Sequence, residues 1–499
     1  MSLTGTATTA TTVVSLTGAI TINAGGSDLT VVANNTAAGS NTGINATGTI
    51  TSNAVGGSIS FTSNNKINQT GAISLVANGG GTAANVTYDT TRGTNLSTIV
   101  SGTLTIATGS TSDINFTMKS AGANLNPAAI GTSTISLPGT VTLDNTYGCT
   151  GAGCTPASGF ITASNLATLA TTTYGVQINN AIYANKTVSV KAINNGGTSA
   201  VYMTATTNSV NGDINVTATG TTSWVLTNSN TVNWYNGALI ANNGTINLTA
   251  SATTGSAVMM GSTTNGLLSA KTINVTGTTV SGSWATYLAN MTIVAGGTDI
   301  TVVGNTGTPS NTGIYQAGQI TTISGSDITF TSNGLINQTG AIGLAANTSG
   351  SVANVTYDTT RGDKTSTIVS GQLMITTGST SDIHLTMKSA GANINPGIVG
   401  STTVSLPGNV TLDNTYGCTS VGCTPSAGFI TTANAGTYAT TVVGVTLNQV
   451  IYATKDITIK GITGGANQGI NYSAVIKTTG GNVTMMGSTT TNYGIYNSA

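Results

Sequence analysis

The sequence predicts an all-β fold, a parallel β-helix or solenoid with about three strands per coil that forms an elongated rod. Three observations lead to this prediction. Short runs alternate apolar and polar residues, the chain repeats itself on two scales, and only 5% of its 499 residues are charged. An ordinary globular domain carries roughly 25% charged residues. The surface is therefore expected to be neutral and rich in hydroxyl and amide groups.

The composition favours strands over helices. Every acidic residue is Asp, and the long charged residues that form helices well are scarce, whereas Thr and Val, which suit a pleated sheet, are abundant. A disordered, low-complexity chain can share this composition. Such a chain has no reason to alternate, however, and the runs at 20–22, 29–31 and 59–61 place an apolar residue at every second position. That period indicates strands with one buried face.

The charges and the apolar runs bear on the expected partners. The 12 basic and 12 acidic residues are spread thinly and cancel, so we expect neither nucleic-acid binding nor a patch for acidic lipids. Membrane insertion is not expected either, because no apolar run reaches the length of about 18 residues that a spanning helix needs. The first residues lack the basic and apolar regions of a signal peptide. We therefore expect an export signal outside this chain and expect the chain to be a fragment of a longer protein.

A long duplication divides the chain. The residues at 85–93 recur identically at 354–362. On this basis 1–14 form an N-terminal lead-in, 15–285 form the first copy, and 286–499 form a second, incomplete copy that continues directly from the first.

Differences between the copies separate core positions from surface positions. Phe116 is replaced by Leu385, which is also apolar, whereas the neighbouring Asn115 is replaced by the polar His384. This pattern is expected where one face of a strand lies in the core and the other faces solvent.

A shorter period lies within each copy. Similar phrases at 213–218, 245–250 and 272–277 follow one another, and two further apolar segments, 257–260 and 267–270, lie between the last two. This arrangement gives about three strands per coil, and each coil needs stacked neighbours to bury its apolar face. At roughly 25 residues per coil and a strand spacing of about 4.8 Å, the chain would form about 20 coils in a rod on the order of 100 Å long.

The repeated phrases resemble those of a known class of protein. Gly-Ala-Ile-Thr-Ile at 18–22 and Thr-Gly-Ala-Ile-Ser-Leu at 70–75 resemble the repeats of filamentous haemagglutinin-type adhesins and autotransporter passenger domains of Gram-negative bacteria. The resemblance extends over essentially the whole chain. It implies a right-handed parallel β-helix that forms the stalk of a secreted fibre.

The leading functional prediction is a structural stalk or fibre segment of a large secreted or cell-surface bacterial adhesin, without catalysis. One alternative is a self-assembling extracellular filament, sheath or surface-layer subunit that stacks end to end. A second alternative is a carbohydrate-binding or carbohydrate-cleaving β-helix. The expected partners are the chain itself, end to end or within a longer chain, and host or matrix surfaces or glycans.

The cysteines occur in two pairs at the same place in the two copies, Cys149 with Cys154 and Cys418 with Cys423. A short loop that contains Gly predicts a local disulfide within each pair, and disulfides suit an oxidising compartment. Free thiols are the alternative. Zinc is disfavoured because a structural site needs about four ligands and no His is near either pair.

The only two arginines, Arg92 and Arg361, follow Asp89 and Asp358 in the duplicated phrase. These four residues are the candidates for a surface interaction, because an Arg side chain binds carboxylates well. The alternative, which we favour, is a turn with a local ion pair between Asp and Arg, and such a pair contributes little on a surface.

No catalytic, cofactor-binding or metal site is predicted. The single histidine, His384, has Asn115 as its counterpart in the other copy, and a catalytic base would not be expendable. Glycoside cleavage would need two carboxylates on neighbouring coils. The best candidates, which we do not expect to be catalytic, are Asp113 with Asp144 and Asp382 with Asp413.

Three further features have structural explanations. The phrases Gly-Gly-Ser-Asp at 25–28 and Gly-Gly-Thr-Asp at 296–299 faintly resemble calcium-binding β-roll repeats, but we expect the Asp in each to cap a turn. Asn at repeated coil positions is expected to stack into amide ladders. We expect the sides of the solenoid to bury the tryptophans rather than expose them for sugar binding; these are Trp224, Trp234 and Trp284.

Overall fold

The computed structural model describes residues 1–9, 11–23, 28–35, 41–151, 153–196, 198–221, 226–228, 237–261, 266–296, 299–419 and 423–498. In this part of the chain the strands pair in parallel and stack as a β-solenoid of about 17 turns, with 2% helix. The predicted fold class is confirmed. No helix among the described residues has the length and hydrophobicity of a membrane-spanning segment.

The solenoid has fewer turns than the sequence predicted. Coils of about 25 residues would give about 20 turns, whereas the structure has about 17. The difference arises because some coils carry long excursions between strands. One excursion separates Val141–Asp144 from Val176–Ile178, and its counterpart separates Val410–Asp413 from Val445–Leu447.

The chain divides into two compact units, Met1–Thr254 and Gly255–Ala499. Within each unit, strands of successive coils pair at equivalent positions. In the first unit Ile214 lies opposite Ile246, so two of the repeated phrases stack on one another, as the shorter period predicted. In the second unit Ile273 lies opposite Ile300.

Most strands are short, although Ala238–Ala252 has 15 residues and Gly266–Thr279 has 14, and the described part of each unit contains one helical turn. The strands of the first unit are Ser2–Ala7, Thr12–Leu16, Ile20–Ile22, Leu29–Asn35, Thr42–Ala46, Ile50–Ser52, Ile59–Ser63, Lys66–Gln69, Ile73–Leu75, Ala84–Thr90, Ile99–Val100, Leu104–Ile106, Ile114–Ser120, Leu125–Asn126, Val141–Asp144, Val176–Ile178, Ile182–Ala184, Val188–Asn194, Val201–Met203, Thr207–Ser209, Ile214–Gly220, Leu226–Asn228 and Ala238–Ala252. Those of the second unit are Val258–Met260, Gly266–Thr279, Trp284–Leu288, Met291–Ala295, Ile300–Thr306, Thr312–Gln316, Ile320–Thr322, Ile328–Ser332, Leu335–Gln338, Ile342–Leu344, Ala353–Thr359, Ile368–Val369, Leu373–Ile375, Ile383–Ser389, Ile394–Asn395, Val410–Asp413, Val445–Leu447, Ile451–Ala453, Ile457–Thr463, Ile470–Tyr472, Ile476–Thr478, Val483–Thr489 and Ile495–Asn497. The helical turns are Leu166–Leu169 and Ala435–Tyr438.

The core lies inside the coils and is built from alternate strand residues. In Ile114–Ser120 the side chains at every second position are buried, and those between them are half-buried on the outer face. Phe116 and Leu385, which replace one another in the two copies, are both buried, whereas Asn115 and His384 are half-buried on the outer face. Burial of one large apolar side chain contributes about 1.5–3 kcal/mol. The period-2 pattern is therefore confirmed as the division between core and surface.

An aromatic stack crosses several coils in the first unit. The ring of Tyr88 lies between Phe61 and Phe116, with centroid distances of 5.1 Å and 5.6 Å. The Tyr88 hydroxyl donates to Gln69 Oε1 at 2.7 Å, and the backbone N–H of Gly102 donates to the same oxygen at 2.7 Å. The one polar atom of the stack is thus satisfied, as a buried hydroxyl requires.

The second unit contains the matching arrangement. Phe330 and Tyr357 stack with centroids 5.0 Å apart, and the Tyr357 hydroxyl donates to Gln338 Oε1 at 2.8 Å. Burial raises the pKa of the Tyr88 and Tyr357 hydroxyls far above the usual value, because the phenolate would lose its hydration inside the core.

Asn side chains stack on the outer face, as the sequence predicted. Asn68 donates to the side chain of Asn45 at 2.9 Å, and Asn247 donates to that of Asn215 at 2.8 Å. Each bond joins equivalent positions of neighbouring coils. An amide has both a donor and an acceptor, so an Asn row can continue the hydrogen bonding of the strands without charge.

The excursion after Val141–Asp144 forms a small second core on the outside of the first unit. It returns through the helical turn Leu166–Leu169, whose Leu166 packs with Ile161, Ala170 and Ile193. No helix was predicted here. The turn forms because Asn165 Oδ1 accepts a hydrogen bond from the N–H of Thr162 at 2.7 Å, and because Leu166 then reaches the solenoid side.

Candidate functional site

The excursion carries the disulfide loop of each unit. Cys149 is bonded to Cys154 and Cys418 to Cys423, with Cα atoms 6.1 Å apart in both pairs. The predicted local pairing is confirmed, and the alternatives of free thiols and of zinc are wrong for these cysteines. Among the described residues no group of three or more His, Cys, Asp or Glu side chains is placed to hold a metal ion.

A second loop follows the strand Ala84–Thr90 and carries Arg92. Its first turn forms because Asp89 Oδ1 accepts hydrogen bonds from the N–H and the hydroxyl of Thr91, at 2.9 Å and 2.7 Å. Its far end is held by Asn95, whose side-chain amide donates to the carbonyl of Ala170 at 3.1 Å. The loop is therefore tied both to the solenoid and to the end of the excursion.

The local pair between Asp and Arg that we favoured from the sequence does not form. Asp89 Oδ2 pairs instead with Lys119 Nζ on the next coil, at 2.9 Å, and Asp358 pairs with Lys388 at 2.9 Å. A parallel strand pair brings these side chains together because Asp89 lies directly opposite Lys119. Arg92 is exposed, and no carboxylate in the described part of the chain pairs with it.

Charges of alternating sign form a column on successive coils of each unit. In the first unit the strand register aligns Asp89, Lys119, Asp144 and Lys191. The equivalent column in the second unit is Asp358, Lys388, Asp413 and Lys460. Together the two columns hold eight of the chain's 12 basic and 12 acidic residues. A third of the sparse charges thus lie in these two columns, beside the loops that carry the arginines and the disulfides.

The two columns differ at one position. In the first unit Ser158 donates to the buried Asp144 carboxylate at 2.5 Å and accepts from Lys191 at 3.2 Å. In the second unit Ala427 stands where the first copy has Ser158, and Lys460 pairs directly with Asp413 at 3.3 Å. A hydroxyl and a direct ion pair therefore satisfy the same buried carboxylate in the two copies.

The Arg loop and the disulfide loop enclose a cleft in each unit. The first has a volume of about 570 Å³ and is lined by Arg92, Cys149, Cys154, Tyr147 and Phe160 among others. Lys119 Nζ lies 5.8 Å from the centre of the Tyr147 ring. Burial, and next to it the negative charge of Asp144, raise the pKa of the Tyr147 hydroxyl.

The second cleft has a volume of about 870 Å³ and is lined by the equivalent residues Arg361, Cys418, Cys423 and Tyr416. Lys388 Nζ lies 5.8 Å from the centre of the Tyr416 ring. The structure thus unites in one cleft two features that the sequence singled out separately, the arginines and the disulfides.

The roles of Tyr147, Phe160 and Lys119 at the first cleft were not predicted. Tyr147 and Phe160 recur in the second copy as Tyr416 and Phe429, at the same distance from the cysteines. That recurrence is the signal by which the sequence could have indicated them. Lys119 also recurs, as Lys388, but only the register of the coils places it beside Asp89.

His384 has a structural role. Its Nδ1 accepts the backbone N–H of Asn409 at 2.9 Å, and in the first unit Asn115 Oδ1 accepts the N–H of Thr140 at 3.0 Å. Imidazole and amide are therefore interchangeable acceptors at this position. The expectation of no catalysis stays a prediction.

The other acidic candidates also have partners. Asp113 pairs with Lys186 at 2.7 Å, and Asp144 is held as described above. Asp28 Oδ1 accepts from the N–H of Ser58 on the next coil at 2.8 Å, so this bond joins two coils, and the expected capping of a local turn stays a prediction. Residues 25–27 and 297–298 of the glycine phrases lie outside the described residues.

One tryptophan departs from the expected burial. Trp284 is 36% exposed, and its ring centre lies 5.1 Å from that of Tyr287. Tyr287 in turn stacks on Tyr315 of the next coil at 4.8 Å, so the indole ends a surface row of aromatic rings. Trp224 and Trp234 lie outside the described residues.

Comparison with known proteins adds no relative. No protein-family model matches the chain, and no curated protein or solved structure matches it either. Of the predicted resemblance to bacterial adhesins, the structure shows the parallel β-solenoid alone, and no family or relative indicates a particular type of adhesin.

Proposed function

We propose that this chain is a structural stalk segment of a large secreted or cell-surface bacterial adhesin and that it performs no catalysis. The observation that carries the proposal is the repeated stacking of coils by parallel, in-register strand pairs over an apolar interior. Each coil of a solenoid contacts only its neighbours. Added repeats therefore extend the molecule without requiring a new core, which is what a stalk needs.

The two disulfides support the proposed location. Disulfides form and persist in oxidising environments such as the cell exterior and the bacterial periplasm. Each bond here closes a loop that lies outside the strand ladders, between Val141–Asp144 and Val176–Ile178 in the first unit. A bond in such a place stabilises a surface loop, and it fits an exterior protein that is exposed to proteases.

Protease treatment of intact source cells tests the location and the role together. We expect an antibody against this chain to lose its signal after treatment of whole cells with an external protease, while a cytoplasmic marker stays intact. Peptide mapping without reduction should recover both disulfides. A protected chain with reduced cysteines, or turnover of any member of a polysaccharide panel by the purified chain, would overturn the proposal.

A second candidate function is end-to-end assembly, and one observation favours it. Successive coils pair in parallel and in register at equivalent strand positions, so one coil offers the next the kind of surface on which it rests itself. Strand edges of this kind can also pair between molecules. A second copy can therefore continue the stack.

Sedimentation across a dilution series tests the assembly. We expect association that depends on concentration and changes little with salt, because only 5% of the residues are charged. A monodisperse monomer at all concentrations would rule out assembly and leave the stalk proposal standing.

A further inference from the structure

Each cleft carries an arginine that forms no ion pair with a carboxylate of the described residues. The Arg92 side chain is exposed, and the neighbouring acids have other partners: Asp89 pairs with Lys119, and Asp144 accepts from Ser158. The chain has only two arginines, and both stand at the equivalent position. An unpaired guanidinium beside engaged carboxylates is available to an anion from solution.

The guanidinium selects the kind of anion. Its planar fork donates two parallel hydrogen bonds to a carboxylate, whereas an ammonium group acts as a point charge. The surface elsewhere uses Lys for its ion pairs, as in Lys119 with Asp89 and Lys186 with Asp113. Arg at the clefts therefore indicates a ligand with a carboxylate rather than general attraction of negative charge.

The remaining walls of the first cleft suit a hydroxylated ring. Tyr147 presents a half-buried aromatic ring, and Thr94 and Thr168 present exposed hydroxyls. The cleft volume of about 570 Å³ lies within the range of small-molecule sites. A pyranose has an apolar ring face that packs on an aromatic side chain and hydroxyls at its edge that bond to Thr.

The cleft is held in shape before a ligand arrives. One wall is fixed by the Asp89 bonds to Thr91 and by Asn95, which bonds to Ala170. The other wall is closed by the disulfide between Cys149 and Cys154. A site that needs little ordering retains more of its interaction energy as affinity.

The second cleft differs from the first at three lining positions. Asp363 takes the place of Thr94 and adds a carboxylate, whose Oδ1 accepts from the N–H and the hydroxyl of Thr365 at 2.8 Å and 2.6 Å. Lys364 takes the place of Asn95 and donates to the carbonyl of Thr437 at 3.2 Å, so the loop remains tied to the excursion. Tyr438, which is 40% exposed, takes the place of Leu169. The second cleft is larger, at about 870 Å³, and it adds an aromatic surface.

We propose that the two clefts bind acidic saccharides, with the sugar carboxylate on Arg92 in the first and on Arg361 in the second. The sugar ring packs on Tyr147 or Tyr416. The ligand is a glycan unit with a sialic or uronic acid, and each chain takes two. This binding goes beyond the stalk function and does not depend on it.

Calorimetric titration of the full chain tests the proposal. The probes are 3′-sialyllactose with lactose as its neutral control, a uronic-acid disaccharide with its neutral counterpart, and a short peptide with a free C-terminal carboxylate. We expect two sites per chain for at least one acidic sugar and no measurable heat for the neutral controls. The sialic and uronic probes distinguish the two sources of the carboxylate.

Variants assign the sites. Arg92→Gln should reduce the stoichiometry from two to one, and Arg92→Gln with Arg361→Gln should abolish binding. Arg92→Lys keeps the charge but loses the fork, so affinity at that site should fall at least about tenfold, or roughly 1.4 kcal/mol. Lys477→Gln removes one exposed positive charge outside the clefts, and it should change nothing.

Several outcomes would overturn the proposal. They are no binding of either acidic sugar to the native chain, equal binding of neutral and acidic sugars, full binding by the double Arg variant, or tighter binding of the peptide than of any sugar. Because both Arg side chains are exposed, the variants should fold, and circular dichroism with disulfide mapping verifies this. Failure here would leave the location and the stalk role untouched.

Discussion

Tyr88 and Tyr357 each place a phenol hydroxyl inside an apolar core, where it donates a hydrogen bond to one Gln oxygen. The neutral phenol is stable there, but the phenolate would lose its hydration. Burial therefore raises the pKa of both hydroxyls in the folded chain. In the unfolded chain the hydroxyls ionise near the ordinary pKa of about 10.

This difference predicts alkaline sensitivity. Below pH of about 10 both states hold the proton, and the stabilisation is fully present. Above that pH the unfolded chain binds fewer protons than the folded chain, so the free energy of unfolding falls by about 1.4 kcal/mol per pH unit for each buried Tyr. Urea unfolding between pH 8 and pH 11, a range chosen to bracket a pKa of about 10, should show this slope for the first unit.

Tyr88→Phe is the matched control. This variant should reduce the slope of the unfolding free energy against pH by the contribution of one Tyr. At neutral pH it should cost only about 1 kcal/mol, because Gly102 still donates to the Gln69 oxygen. An unchanged alkaline slope in this variant would contradict the argument.

Ser158 offers a second prediction at the scale of the residue. In the second unit Ala427 replaces it, and Lys460 pairs directly with Asp413. We expect Ser158→Ala to let Lys191 approach Asp144 in the same way, at a cost below about 1 kcal/mol. Lys191→Met should then destabilise the chain by about 1–3 kcal/mol more in the Ser158→Ala variant than in the native chain. The reason is that the buried Asp144 carboxylate then has no side-chain donor left except the one in its own turn.

A double-mutant cycle measured by urea unfolding tests this coupling. Ala427→Ser provides the reciprocal control, since it should place a hydroxyl between Lys460 and Asp413 with little change in stability. Additive effects of Ser158→Ala and Lys191→Met would show that the hydroxyl and the lysine do not share Asp144.

Strands and loops were not equally predictable at the scale of the element. The alternation that defines Ile114–Ser120 is local in sequence, and the repeated phrases gave the register that places Ile214 opposite Ile246. The excursion has no such period. Its helical turn depends on Asn165 and on the packing of Leu166 against the solenoid, which is tertiary information.

The candidate site was predictable only in parts for the same reason. The pairing of Cys149 with Cys154 follows from their closeness in the chain, and Arg92 stands out because arginine is so rare. That these features share a cleft depends on which coils stack together. The column of Asp89, Lys119 and Asp144 was hidden because coil length varies along the chain, so its successive members follow no constant spacing in sequence.

The disulfide loop gives a prediction at this scale. Cys149→Ser with Cys154→Ser should cost about 2 kcal/mol at most, since a short closed loop removes little entropy from the unfolded chain. The strand content should not change, because the loop lies outside the strand ladders. Affinity of the first cleft for an acidic sugar should fall, because one wall loses its closure.

Thermal unfolding and circular dichroism measure the stability, and the same sugar titration measures the cleft. Cys418→Ser with Cys423→Ser is the matched variant, and it should affect the second cleft and leave the first unchanged. Loss of strand signal in either variant would mean that the bond supports the solenoid itself.

At the scale of the whole molecule, a solenoid should respond to damage locally. Each coil contacts its neighbours, and distant coils share no core. Phe330 is fully buried and stacks on Tyr357 in the second unit, as Phe61 stacks on Tyr88 in the first. Phe330→Ala should destabilise its unit by about 3–5 kcal/mol, because apolar burial is lost and a cavity is left behind.

Hydrogen exchange of the backbone amides should therefore quicken in the coils beside Phe330, while the coils around Phe61 keep their protection. Phe61→Ala should give the reverse pattern. Equal loss of protection throughout the chain in either variant would show a single cooperative core, and it would contradict the view that added repeats extend this molecule without altering the rest.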